Sequence, residues 1–190
     1  MRTREVRVEE LPLLQEIERA AGGCFREVGM DPIADDEPFS VAELTAFLDA
    51  GLAWVAVDDA DRPVAYLVAE RVDDALHVEQ VSVHPSHARR GVGRRLLEHL
   101  AARAAAEGVP ALTLTTFADV PWNAPYYARC GFRPVPEDAL GPGLREVRAR
   151  EAAHGLDRWP RLVMRRPLRP AVGPGAAEPN RTVRSGTVEA

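Results

Sequence analysis

Titratable side chains alternate with apolar ones in the segment ALHVEQVSV, residues 75–83. This alternation is typical of a β-strand, in which successive side chains point to opposite faces. The two predicted faces are His77, Glu79, Val81 and Val83 on one side, and Val78, Gln80 and Ser82 on the other. A side chain whose pKa lies near pH 7 can accept a proton from a nucleophile and so act as a general base. Histidine titrates in this range, and burial can bring a glutamate into it. His77 and Glu79 are therefore candidate bases, with a solvated polar face as the structural alternative.

A second chemical signal is the segment PSHARRGVGRRLLEHL, residues 85–100, which follows that strand directly. Glycines at 91 and 93 let the backbone approach a ligand closely, and the leucine-rich run predicts a helix whose first N–H groups are free. Such a helix start favours anions, and a pyrophosphate fits it. For a bare G-x-G, an ordinary helix start that carries solvated arginines is the more common explanation, so a second signal is needed.

The elements that position these residues follow from periodicity and turn signals. Predicted strands are residues 5–8, 52–57, 63–70, 75–83, 111–117, the start of GFRPV after residue 130, and 160–166. Predicted helices are residues 9–21, one opened by the capping box Ser40–Glu43, 93–107, the short NAPYYARC segment, and an extra helix from Pro142 to Gly155. Short links between the central strands imply antiparallel neighbours. The expected fold is α/β (α+β), with a mixed, mostly antiparallel sheet of six to seven strands and about four helices.

Length, charge and composition limit the function classes. A chain of 190 residues favours one domain, predicted at residues 1–168, and Pro and Gly predict a disordered tail at 169–190. A net charge of -5 argues against nucleic-acid binding. Cys24 and Cys130 lack metal-ligand spacing, so no metal is expected, and no secretory or membrane segment is evident, which suggests a cytoplasmic protein. The sequence contains no lysine, so its arginines are partly a compositional default.

The segment VPWNAPYYARCGF, residues 120–132, turns the glycine loop into a specific pattern. Together the two motifs resemble the GNAT superfamily of acyl-CoA-dependent N-acyltransferases. That family binds the coenzyme A pyrophosphate with a Q/R-x-x-G-x-G/A loop, here ARRGVG, and carries a later N-x-x-x-Y-x-x-x-G-F motif, matched in full. Ala88 departs from the pattern, since Gln or Arg is usual there. The resemblance covers residues 3–166 and implies the GNAT fold, with acetyl-CoA as co-substrate.

The resemblance also implies roles for individual residues. Strand 75–84 would splay from strand 111–117, and the backbone of Val81 and Val83 would pair with the pantetheine arm. The N–H of Val81 would lie near the thioester carbonyl. Glu79 ranks ahead of His77 as the base because it is nearer Val81 along the strand. Tyr127 would protonate the departing thiolate. The implied coenzyme-binding residues are Val81, Ser82, Val83, Arg89, Arg90, Gly91, Val92, Gly93, Arg94 and Asn123.

The acceptor is less well defined. The resemblance implies an acceptor pocket walled by residues 22–39 and 133–158, and Phe25, Met30 and Phe39 beside the acidic residues 35–37 would suit an amine with an apolar body. Trp122 could line this pocket or fill the core, and the extra helix could cover the site or support a homodimer. The expected function is acetyl transfer to a primary amine of a small molecule or peptide by direct attack. The alternative is a non-catalytic acyl-CoA-binding regulatory domain.

Overall fold

The structure is a computed structural model that describes residues 1–169. The predicted tail therefore lies, except for residue 169, outside the described residues. The strands are β1 (Arg2–Glu5), β2 (Ala53–Val57), β3 (Pro63–Val72), β4 (Ala75–Val83), β5 (Ala111–Phe117), β6 (Arg133–Pro134) and β7 (Arg161–Pro167). The helices are α1 (Leu11–Gly22), α2 (Asp31–Ala34), α3 (Val41–Asp49), α4 (Val92–Ala106), α5 (Ala124–Arg129) and α6 (Pro142–Ala153).

The seven strands form one mixed sheet in the order β1-β2-β3-β4-β5-β7-β6. β4 and β5 are parallel, and the other neighbours are antiparallel. The crossover from β4 to β5 runs through α4, as a parallel pair requires. The predicted mixed, mostly antiparallel sheet of six to seven strands is confirmed, while the described residues contain six α-helices rather than about four.

Helices cover both faces of the sheet. On one face α4 buries Leu96, Leu97 and Leu100 against the central strands. On the other face α1 buries Leu14 and Ile17 with residues of α3, β2 and β3. α6 packs on this second face through a separate apolar cluster, in which Leu144 and Val147 contact Val72 of β3 and Val163 of β7. None of the helices within residues 1–169 is long and apolar enough to cross a lipid bilayer.

The first strand lies earlier than predicted. β1 ends at Glu5, and Val8–Glu10 is a turn of 3-10 helix rather than the end of a strand. The Glu10 carboxylate accepts a hydrogen bond from the Arg7 backbone N–H at 2.9 Å, which turns the chain into α1. The predicted strand at residues 5–8 is therefore wrong, because this local cap outweighs its β-propensity.

A β-bulge at Glu79 corrects the predicted faces of β4. In the register with β3, Val78 lies opposite Ala69 and Gln80 lies opposite Val68, so Glu79 is the extra residue. The bulge reverses the alternation, and Val81 and Val83 pack on the α4 side with Leu76 and Val78. His77 and Glu79 lie on the opposite face, together with Gln80 and Ser82. The prediction that His77 and Glu79 share a face with Val81 and Val83 is wrong.

The two parallel strands separate where the bulge occurs. β4 pairs with β5 only at Leu76, His77 and Val78, which lie opposite Leu112, Thr113 and Leu114. Beyond these pairs both strands continue without being neighbours in the hydrogen-bond ladder. The result is a gap in the sheet, flanked by residues 79–83 and 115–117, as expected for a splayed pair.

Candidate active site

The glycine loop lies at the end of β4 and presents free N–H groups. Arg89 and Gly91 adopt left-handed conformations, with φ of 59° and 73°, and α4 begins at Val92 without a capping side chain. Among residues 1–169, no protein acceptor receives the backbone N–H of any residue from 89 to 94. A Cβ added at Gly91 would meet no heavy atom within 4 Å, so the loop is open on that side. Free N–H groups at the start of a fifteen-residue helix are suited to bind an anionic phosphate group.

The side chains of this loop contribute unequally. Arg89, Arg90 and Arg94 are exposed, and Arg94 Nε lies 4.0 Å from Glu98, so these arginines are solvated rather than fixed. Val92 is buried in the core, which leaves only its backbone toward the loop. Gly93 has a different reason to be glycine than the sequence suggested, because a Cβ there would lie 3.1 Å from the hydroxyl of Tyr126.

The second motif forms the turn and short helix that face this loop. Asn123 precedes α5, and its carbonyl accepts the Tyr127 N–H at 3.0 Å. Its side chain is half-buried and makes no capping bond. Gly131 has a φ of 90°, which lets the chain reverse so that Phe132 enters the core. The motif is therefore partly a folding motif that fixes the position of Tyr127.

Tyr127 is held by aromatic packing. Its ring centroid lies 5.3 Å from that of Tyr126 and 6.0 Å from that of Phe132, both edge to face. Burial raises the pKa of the Tyr127 hydroxyl well above its usual range, so it carries its proton at neutral pH. A buried phenol that keeps its proton can act as an acid but not as a base.

Glu79 is the titratable group at the edge of the gap. Its side chain is 20% exposed, and burial together with a hydrogen bond to Glu70 raises its pKa to about 8. At Glu70, hydrogen bonds from Glu79 and Arg150 outweigh the effect of burial and lower the pKa. The proton shared by the pair therefore resides mainly on Glu79. Arg150 of α6 approaches both carboxylates, with Nη2 at 2.8 Å from Glu70 and 3.4 Å from Glu79.

His77 lies on the same face but deeper in the sheet. It is 1% exposed, and its Nδ1 lies 3.0 Å from the hydroxyl of Thr113 on β5. Burial lowers its pKa to about 4, so the imidazole is neutral at physiological pH. The surrounding strands separate His77 from solvent, and this side-chain hydrogen bond joins β4 to β5 at the second of their three paired positions.

Sequence reasoning missed a buried polar network beneath α1. Tyr66 donates a hydrogen bond to Glu18, and Gln80 Nε2 donates to Glu18 at 3.0 Å and to Ser82 at 3.1 Å. Burial raises the pKa of the Glu18 carboxyl. These partners are up to 62 residues apart, so no local pattern could have shown them. The network holds the residues that follow the bulge.

Arg161 at the start of β7 was also missed. Its side chain is 8% exposed and donates to Glu151 of α6 and, at 3.0 Å, to the Thr115 hydroxyl. Its guanidinium carbon lies 4.5 Å from the centroid of the Phe117 ring. Thr115 is the first residue of β5 beyond its last pair with β4, so Arg161 lies at the edge of the gap.

A cleft of about 680 Å³ lies elsewhere, between α6 and β7. Arg145, Arg148, Arg161 and Asp157 are among its lining residues, whereas His77, Glu79 and Tyr127 are not. Arg161 lines this cleft and also contacts Thr115 at the edge of the gap. The gap between β4 and β5, rather than this cleft, brings together most of the residues singled out from the sequence.

The fold, the loop and the gap define the acetyltransferase (GNAT) family. The model of that family matches residues 14–132, and the chain belongs to it. Its fold is similar to that of the ribosomal-protein-S18-alanine N-acetyltransferase from Escherichia coli, at 19% identity and a TM-score of 0.61, over 93% of this chain and 99% of that one. An acetyltransferase of the GNAT family from Staphylococcus aureus is 15% identical, with a TM-score of 0.64 over 88% and 99% of the two chains. The PaiA N-acetyltransferase from Thermoplasma acidophilum, solved in complex with coenzyme A, is 14% identical, with a TM-score of 0.65 over 87% and 98%.

Proposed function

We propose that this protein transfers an acetyl group from acetyl-CoA to a primary amine of a small molecule or peptide by direct attack. Membership of the acetyltransferase (GNAT) family supports acyl transfer as the reaction class. The observation that carries the proposal is the gap between β4 and β5, which has free N–H groups near one end and Glu79 on its edge.

The coenzyme is assigned to the loop and to the edge of β4. The N–H groups of residues 89–94 would hold the pyrophosphate, with Arg89, Arg90 and Arg94 adding charge-assisted contacts to outer phosphates. Val81 and Val83 lie beyond the last β4–β5 pair, so their backbone groups on that side are available to the pantetheine amides. Asn123 would contact the coenzyme beside them. Ser82, buried on the opposite face, can contribute only its backbone.

Glu79 is the proposed general base. Its pKa of about 8 lies close to the working pH of a cytoplasmic reaction, so it can accept a proton from an amine and release it again. Its position at the bulge turns the side chain toward the face opposite Val81 and Val83. His77 remains a candidate with a different role, because its burial and its bond to Thr113 suit it to positioning β4 against β5.

Tyr127 is the proposed general acid. In the reaction the amine nitrogen forms a bond to the acetyl carbon, the carbon–sulfur bond breaks, the amine proton passes to Glu79, and the thiolate takes a proton from Tyr127. The N–H of Val81 would stabilise the developing oxyanion. Burial raises the pKa of the Tyr127 hydroxyl and keeps it protonated at neutral pH, so a proton is in place for the sulfur as the carbon–sulfur bond breaks. No covalent enzyme intermediate is needed.

The test combines binding with turnover. Calorimetry with acetyl-CoA and with CoA should show binding that weakens as salt increases, because phosphate contacts are electrostatic. Thiol release from acetyl-CoA should then depend on an added amine, tested with amino acids, alkylamines, aminoglycosides and short peptides. Binding of acetyl-CoA without release in any amine would favour the non-catalytic acyl-CoA-binding alternative, and absence of binding would overturn the cofactor assignment.

A further inference from the structure

An aromatic cluster lies beyond the end of β5 and has no role in the proposed reaction. Phe117 closes β5, and its ring centroid lies 5.7 Å from that of Phe25 and 6.1 Å from that of Trp159. Phe25 also packs edge to face on Trp122 at 6.1 Å. Met30 is buried among these rings. The cluster thus packs the segment after α1 against the end of β5, on the sheet face that carries Glu79.

Two N–H donors in and beside this cluster lack partners. Within the part of the chain that the structure describes, Trp122 Nε1 and Arg161 Nε are buried atoms without a hydrogen-bond acceptor. The Arg161 side chain is more than nine-tenths buried, and its Nη2 donates hydrogen bonds to Glu151 and Thr115. Buried donors are nearly always satisfied in folded proteins, and leaving one unpaired costs free energy. Both donors lie at the aromatic cluster, Arg161 against the Phe117 ring and Trp122 against the Phe25 ring, where a bound ligand could supply the acceptor.

The cover over these donors is a short exposed turn. Phe25 belongs to the 3-10 segment Gly23–Val28, which ends at Gly29 in a left-handed conformation with φ of 71°. Residues 26–29 are exposed, so this turn is bound to the rest of the protein mainly through Phe25 and Met30. Displacing Phe25 would expose the rings of Phe117 and Trp122 on which it packs.

The position of Arg161 relates these donors to the reacting centre. Arg161 Nη2 donates to the hydroxyl of Thr115, the first residue of β5 beyond its last pair with β4, so the guanidinium lies at the edge of the gap. A carbonyl oxygen bound at Arg161 Nε would therefore lie beside the gap in which the amine is proposed to attack. In an α-amino acid or a peptide N-terminus the carbonyl group is two bonds from the amine nitrogen, which meets this requirement.

We propose that the acceptor is an α-amino carbonyl compound, whose carbonyl oxygen or carboxylate takes hydrogen bonds from Trp122 Nε1 and Arg161 Nε while its apolar side chain displaces Phe25 within the aromatic cluster. The inference rests on the proposed acetyl transfer and specifies its substrate class. A free amino acid and a peptide N-terminus share this chemistry, and the substrates chosen for the test separate them.

The test compares amines that differ only in the carbonyl group. Leucinamide is paired with 3-methylbutylamine and phenylalaninamide with 2-phenylethylamine, and thiol release is expressed per unprotonated amine so that amine pKa does not decide the result. We expect kcat/KM at least tenfold higher for each amide. Leucine and a leucyl dipeptide then show whether a free carboxylate or an amide carbonyl is preferred. Equal rates for each pair would overturn this inference and leave the proposed function standing, whereas no release with any amine would contradict the proposed function itself.

Variants assign the effect to the unpartnered donors. Trp122→Phe removes the indole N–H and keeps an aromatic ring, and it should lower the leucinamide to 3-methylbutylamine ratio at least fivefold. Trp159→Phe is the matched control, since its indole nitrogen is not among the buried unpartnered atoms, and the ratio should change less than twofold. Arg161→Lys keeps the charge but not the Nε donor and should lower the ratio as Trp122→Phe does. An unchanged ratio in both Trp122→Phe and Arg161→Lys would overturn the inference.

Discussion

Oε1 of Glu79 lies 3.4 Å from Nη2 of Arg150, so the bulged residue of β4 is joined to the inserted helix α6 across the proposed site. The same nitrogen lies 2.8 Å from Glu70. Arg150, which is exposed, thus lowers the pKa of both Glu70 and Glu79, the proposed base. An incoming ammonium group would meet the same two carboxylates.

Arg150→Ala should move the acidic limb of the pH profile of kcat/KM upward by about one unit. Arg150 lowers the pKa of both Glu70 and Glu79, so its removal raises the apparent pKa of the pair and less base is available at pH 7. The measurement is kcat/KM between pH 6 and 10. Arg145→Ala, an exposed arginine on the same helix, is the control and should leave the limb in place. If the limb does not move in Arg150→Ala, titration of Glu79 does not set the pH dependence of kcat/KM.

Glu79→Gln should lower kcat at pH 8 by about 10² to 10⁴, which is the usual size of a general-base contribution. Affinity for acetyl-CoA, measured by calorimetry, should stay within about threefold of the wild type, because Glu79 is not assigned to the coenzyme. His77→Asn should lower the melting temperature through loss of the buried bond to Thr113 and keep the pH dependence of the rate. The opposite pattern, with the pH limb lost in His77→Asn and kept in Glu79→Gln, would assign the base to His77.

Glu79→Gln should also change how stability depends on pH. The carboxyl has an ordinary pKa near 4.5 in the unfolded chain and about 8 in the folded one, so the folded state binds the extra proton between these values. Its contribution to stability is present below the unfolded value and is lost as pH rises through about 8. Relative to wild type, the variant should therefore gain unfolding free energy from pH 5 to pH 9, as measured by urea denaturation. A difference that is constant with pH would contradict the raised pKa.

Tyr127→Phe should lower kcat by about 10² or more and leave the affinity for CoA nearly unchanged. Phenylalanine keeps the edge-to-face contacts with Tyr126 and Phe132, so the loss can be attributed to the hydroxyl. Tyr126→Phe is the control for the neighbouring phenol, which lies over Gly93. The readout is thiol release at saturating acetyl-CoA, and wild-type turnover in Tyr127→Phe would remove its role as the acid.

Gly91→Ala should weaken CoA binding at least tenfold and destabilise the protein by about 1 kcal/mol, since an L-residue in the left-handed region is strained. Gly51→Ala is matched to it, with a φ of 69° against 73° and no heavy atom within 4 Å of an added Cβ in either case. Both variants should lose similar stability in urea denaturation. Only Gly91→Ala should lose affinity for CoA in calorimetry, and equal affinities would show that the loop backbone does not hold the coenzyme.

Local sequence was sufficient for most of the secondary structure. Helix α4, strand β5 and the Ser40 capping box were predicted close to their observed bounds, because periodicity and caps act within a few residues. The same reasoning misplaced the first strand, where the Glu10 carboxylate turns the chain through the Arg7 N–H. It also failed to reveal the bulge at Glu79, because a bulge exists only relative to the register of the partner strand.

The sequence by itself determined the family pattern, the glycine loop before a helix, and the identity of the titratable residues on β4, because these depend on residue type and short spacing. Tertiary structure decided what those residues can do. Packing of α6 gave Glu79 its burial and its partners Glu70 and Arg150, while insertion of His77 between β3 and β5 removed it from solvent. Burial and long-range charge set a pKa, and both arise only when segments distant in the chain are brought together.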